Sequence, residues 1–108
     1  MGISRDTRRL HLAIHNGLHR GGLLTNAAWA ERLLLAHRYL YYVVWKPVLK
    51  DSDYDALKRG AMPVIPDDSP IRRPGSSNPH DYPEIVQKMA TALLHDPPRI
   101  YDYLEDGL

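Results

Sequence analysis

Three residues in the middle of the chain are spaced to act together. Asp51, Tyr54 and Asp55 stand at i, i+3 and i+4, so a helix beginning at Asp51 carries all three on one face. Upstream lies the aromatic run Tyr39-Leu40-Tyr41-Tyr42-Val43-Val44-Trp45, and the short segment Lys46-Pro47-Val48-Leu49-Lys50 folds the second element back on the end of the first. Tyr41, Tyr42 and His37 then face the carboxylates of Asp51 and Asp55. Phenol rings opposite ionised acceptors form a clamp for a small polar aromatic ligand. The ring stacks, its donors make charge-assisted hydrogen bonds, and a cationic ring gains from both walls. The same residues also have a plainer reading, with Asp51 as a helix cap, Asp55 as a first-turn charge and the tyrosines as half-buried core with wet hydroxyls. Spacing alone leaves both open.

The elements that must position these groups are helical. Asp6 or Thr7 caps a helix to about Leu18, with Leu10, Ile14 and Leu18 as its apolar stripe, and Gly21-Gly22 stops it. Thr25 or Asn26 opens a longer helix through Trp29, Leu33, His37, Leu40 and Val44, ended by Pro47. Asp51 or Ser52 caps a third of about two turns, ending near Gly60. Prolines at 63, 66, 70, 74, 79 and 83 then mark a stretch without regular structure that wraps the domain. Asp81 caps a helix to about His95, with Ile85, Met89, Ala92 and Leu93 on one side, and Asp96-Pro97-Pro98 starts a last short one through Ile100, Tyr101 and Leu104. The expectation is an all-α fold of about four to five helices with a long proline-rich connecting segment. Residues 1–60 form the helical clamp, 61–82 the linker, and 83–108 the helices that dock a partner or complete the core.

Composition narrows the function. At 108 residues the chain has room for one modest core. It has no cysteine, which excludes a disulfide framework, thiol catalysis and Cys-ligated zinc. The longest apolar run, Leu40 to Trp45, is far too short to span a bilayer, so no membrane role is expected and the cytoplasm is the expected compartment. Residues 1–50 hold eight Lys/Arg against two Asp/Glu, and residues 51–108 six against eleven. Opposite-sign halves suit either internal packing or a phosphate-bearing ligand on one side and a partner on the other.

An ordered set of motifs spans residues 37 to 75: His37-Arg38-Tyr39-x-Tyr41-Tyr42-Val43, Pro47, Asp51-x-x-Tyr54-Asp55-x-Leu57, and Asp68-Ser69-Pro70-x-x-Arg73-x-Gly75. It resembles the N-terminal nucleotide-clamping domain, domain Ia, of NAD-dependent DNA ligases. That resemblance implies binding of the nicotinamide mononucleotide (NMN) half of NAD by Tyr41, Asp51, Tyr54 and Asp55, with Tyr42 and His37 as further contacts. Tyr42 falls where many members have histidine and others tyrosine, so a polar contact survives but no imidazolium role does. The spacer Lys58 to Asp67 is shorter than in the family. The family's adenylated lysine lies in Lys-x-Asp-Gly, and none of Lys46, Lys50, Lys58 or Lys88 is followed by x-Asp-Gly. No catalytic residue is therefore expected in this chain. The resemblance implies one component of a split ligase such as phages encode, whose partner chain supplies the adenylation core and contacts nicked DNA. The rival expectations are an interaction protein that reuses the clamp fold to inhibit or redirect a ligase, and a small DNA-binding accessory protein.

Two other patterns carry less. His11, His15 and His19 recur at the four-residue spacing of helical metal chelation, but no carboxylate is spaced to complete a site, and no metal is expected. Arg5, Arg8, Arg9 and Arg20 suit phosphate contacts, yet no DNA-binding motif accompanies them.

Overall fold

The computed structural model describes residues 26–104. They form three α-helices, α1 (Ala27–Tyr42), α2 (Asp51–Ala61) and α3 (Glu84–His95), with 3-10 turns at Met62–Val64, Pro70–Arg72, Pro79–Asp81 and Pro97–Leu104. No strand occurs among the described residues, and the fold is all-α. The expected first helix, with its histidine row and arginine cluster, lies outside the described residues. Among them, no helix is long and apolar enough to cross a membrane.

α1 begins where the Asn26 side chain accepts from the backbone N–H of Trp29 at 3.2 Å, satisfying an amide that has no partner inside the helix. Its residues are buried from Leu33 to Leu40 with only Tyr39 partly exposed, which makes it the central helix. α3 covers one side, and α2 with the Pro70–Arg72 turn covers another. α3 contributes Val86, Met89, Ala90, Ala92 and Leu93 to the core, while Ile85 is only half-buried. Near the start of α1, Trp29 is 1% exposed; its indole N–H donates to the Ile100 carbonyl at 3.2 Å and its ring stacks on Tyr101. The last turn of the described chain is thereby fastened to the central helix.

α1 ends earlier than its apolar stripe implies. The stripe runs through Val44 to Pro47, but the helix stops at Tyr42 and Trp45 takes a left-handed backbone, φ 64°. Crowding of the β-branched pair Val43-Val44 against the preceding turn disfavours continuation. The terminal carbonyls are met by wide turns, Val44 N–H to Tyr39 O at 3.1 Å and Lys46 N–H to Leu40 O at 2.8 Å. The chain has reversed before Pro47 is reached.

The expected caps also move. Asp51 and Ser52 are the first two residues of α2, and Lys50 holds the cap position without a side-chain bond. Asp51 and Asp53 instead sit in the first turn of an 11-residue helix, where the positive end of the helix favours each carboxylate by about 0.3–1 kcal/mol. Asp81 lies in the Pro79–Asp81 turn, and Pro83 occupies the cap position of α3.

The proline-rich stretch is more ordered than expected. Each of its three 3-10 turns has proline at its first or second position, where a preset φ helps and a missing N–H costs nothing. Ile65, Ser69, Ile71 and Tyr82 anchor the stretch to the core. Arg72 gathers the carbonyls of Ile65 at 2.6 Å, Pro66 at 2.8 Å and Met62 at 3.4 Å, and so closes the short spacer after α2.

Candidate functional site

A cavity of about 550 Å³ opens between the end of α1, the start of α2 and the 71–75 segment. That volume suits a mononucleotide-sized ligand. His37, Tyr41, Tyr42, Asp51, Tyr54 and Asp55 all line it. The segment 46–50 achieves this by burying Val48 and Leu49 in the core, which turns the N-terminus of α2 towards the end of α1.

The tyrosines differ in setting. Tyr41 and Tyr42 are exposed, and their rings meet edge to face with centroids 4.9 Å apart. Tyr54 is partly buried, edge-on to His37 at 6.3 Å. Burial pushes the Tyr54 phenol above its ordinary pKa of 10.0, and the neighbouring Arg38 guanidinium pulls the other way. Tyr54 is therefore a neutral hydrogen-bonding group at physiological pH. Asp51 and Asp55 are exposed at the rim, one turn apart.

Sequence reasoning passed over two contributors to the cavity. Arg38 lies within the buried face of α1 and is 8% exposed. Its signal was a charged residue three and four positions after Leu35 and Leu34, on the face a core helix buries. Lys58 lines the cavity as well. It stands at i+3 and i+4 from Asp55 and Tyr54 and so continues their stripe. With Arg72 and Arg73, four cationic side chains border the same space as the two carboxylates. The cavity thus has an acidic wall at the α2 N-terminus, an aromatic wall at the α1 C-terminus and a basic border formed by Arg38 of α1, Lys58 of α2 and Arg72 and Arg73 of the loop. Among the described residues no group of side chains is placed to hold a metal ion.

The chain is 34% identical over 87 residues to a DNA ligase of Psychrobacter cryohalolentis, covering 68% of this chain and 11% of the ligase. It is a partial homologue of a DNA ligase. The chain spans about a tenth of the length of that relative. No family model matches it, and no solved structure does.

Proposed function

We propose that this chain is the NMN clamp of an NAD-dependent DNA ligase, working as the clamp-bearing component of a split enzyme whose partner chain carries the adenylated lysine. One observation carries the reading. His37, Tyr41, Tyr42, Asp51, Tyr54 and Asp55 border a single cavity in a chain that is homologous in part to a DNA ligase.

The lining fits that ligand chemically. Phenol faces at Tyr41 and Tyr42 suit a flat cationic pyridinium ring. Asp51 and Asp55 accept hydrogen bonds from carboxamide and ribose donors, and Lys58 and Arg73 balance a phosphate. NAD supplies the adenylyl group, and its NMN half is the leaving group when a lysine attacks the adenylyl phosphorus. The residues of this chain hold the leaving half in line with that attack. Such positioning contributes on the order of several kcal/mol to lowering a barrier. The chain contributes no nucleophile, since none of its lysines begins a Lys-x-Asp-Gly sequence, so it is inactive alone and reaches nicked DNA only through its partner.

The test is to add this chain to a ligase core lacking its own clamp and to measure NMN release and lysine adenylation from NAD. Both should appear with the wild-type chain and fall at least tenfold with Asp51→Ala or Tyr41→Ala. Exposed aromatic surface at Tyr41, Tyr42 and Trp45 favours a second reading, an interaction protein that docks on a ligase to inhibit or redirect it. Inhibition of an intact ligase, with no rescue of the truncated core, would select that reading. Tight binding to duplex DNA with a steep salt dependence would select a DNA-binding accessory instead.

A further inference from the structure

Arg38 is buried in the cavity wall, and its guanidinium reaches four oxygens. Nε–H donates to the Tyr54 hydroxyl at 3.1 Å, Nη1 to the carbonyls of Pro70 at 3.0 Å and Arg73 at 2.9 Å, and Nη2 to that of Ile71 at 2.7 Å. Among the described residues no carboxylate pairs with it. One planar fork therefore joins α1 to α2 through a phenol, and α1 to the loop through three backbone acceptors. A lysine cannot do this, because its ammonium is a point donor with three hydrogens and no fixed fork.

We propose that Arg38 is the positioning residue of this cavity: it holds Tyr54 and the loop from Ser69 to Gly75 as one wall, so that the cavity is organised before any ligand or partner arrives. The bond from Nε–H uses a lone pair of the Tyr54 oxygen and leaves the phenolic hydrogen for an acceptor inside the cavity. Tyr54 thus presents a donor, and its complement on the ligand is a carbonyl, phosphate or ribose oxygen. The loop bonds set the backbone from which Arg73 and Gly75 reach the cavity border. The ligand identity rests on the NMN reading above; the ordering of the wall does not.

Three measurements on the full chain decide it. Nitrogen NMR of the wild type should show an Arg38 Nε–H that exchanges slowly, with hindered rotation about Cζ–Nε. In Arg38→Met, the amides of Arg72 and Arg73, which bond to Ser69 and Pro70, should exchange at least tenfold faster while those of α3 keep their wild-type rates. Affinity for NMN should fall at least tenfold in Arg38→Met, and Arg38→Lys should not restore it although it keeps the charge. A freely rotating wild-type guanidinium overturns the proposal, as does Arg38→Met with loop exchange and affinity unchanged. Full rescue by lysine also overturns it, because charge alone would then be sufficient. If the wild-type chain does not bind NMN, the clamp reading fails, and the loop exchange rates still decide the role of Arg38. If Arg38→Met does not fold, the wild-type guanidinium measurement decides it.

Discussion

The ring of Tyr42 occupies the space into which a side chain at Gly75 would project. A Cβ built on Gly75 falls 2.6 Å from Cδ2 and 2.7 Å from Cζ of that ring. Glycine is needed at this position for close approach, since its φ is not in the left-handed region. The contact seats the proline-rich loop directly on the end of α1, and it links a loop position to the orientation of a cavity tyrosine.

Gly75→Ala should therefore disturb the site more than the fold. Tyr42 is 37% exposed and the clashing atoms belong to its side chain rather than to backbone, so the clash is relieved by moving the ring, at a stability cost below about 1 kcal/mol. Urea unfolding should show that small change, and on the proposed clamp reading NMN affinity falls severalfold. In the background of Tyr42→Ala the same substitution should have little further effect on affinity, which a double-mutant cycle measures.

Trp29→Phe should be strongly destabilising, by about 2–4 kcal/mol. It removes buried ring volume and leaves the Ile100 carbonyl without its indole donor. Denaturant unfolding followed by circular dichroism checks the magnitude. The Pro97–Leu104 turn should loosen first, seen as faster amide exchange there than in α2.

Trp45→Gly should raise stability. A tryptophan with φ 64° and 80% of its surface exposed carries left-handed strain of about 1–2 kcal/mol and gains little packing in return. The extra freedom of glycine in the unfolded chain offsets about 0.5–1 kcal/mol of this. A net gain of about 0.5–1 kcal/mol should appear as a higher Tm. A loss would mean that the Trp45 ring packs more strongly than its exposure implies.

Alkaline pH should destabilise the protein through its buried and partly buried phenols. Burial pushes Tyr54, Tyr82 and Tyr101 above the ordinary value of 10.0. Between 10.0 and the raised values the native state holds more protons than the unfolded chain, so stability falls as pH rises through that window and is unaffected by these groups below it. Denaturant midpoints measured from pH 8 upwards should be level and then decline. Tyr101→Phe should make the decline shallower while changing stability at pH 7 by no more than about 0.5 kcal/mol.

Much of this was readable from local pattern. The 3.6-residue spacing of Trp29, Leu33 and Leu40 marked α1, and the i, i+3, i+4 placement of Asp51, Tyr54 and Asp55 put them on one face, because helix geometry depends on neighbouring residues alone. The same local rules misjudged the helix ends. Whether an acid caps a helix or sits in its first turn depends on the backbone one residue earlier, and here that backbone is set by the burial of Val48 and Leu49. The end of α1 likewise depends on Lys46 N–H reaching back to Leu40 O.

Residue types and spacing by themselves determined the helical class, the facing of the acid-tyrosine stripe and the absence of a Lys-x-Asp-Gly nucleophile in the chain. Tertiary structure alone decided that these groups share a cavity with Arg38, because the four oxygens that hold its guanidinium come from positions 16 to 35 residues away. A buried cation is tolerated only where such acceptors converge. No local pattern specifies that convergence, which exists once the proline-rich loop has folded back over α1.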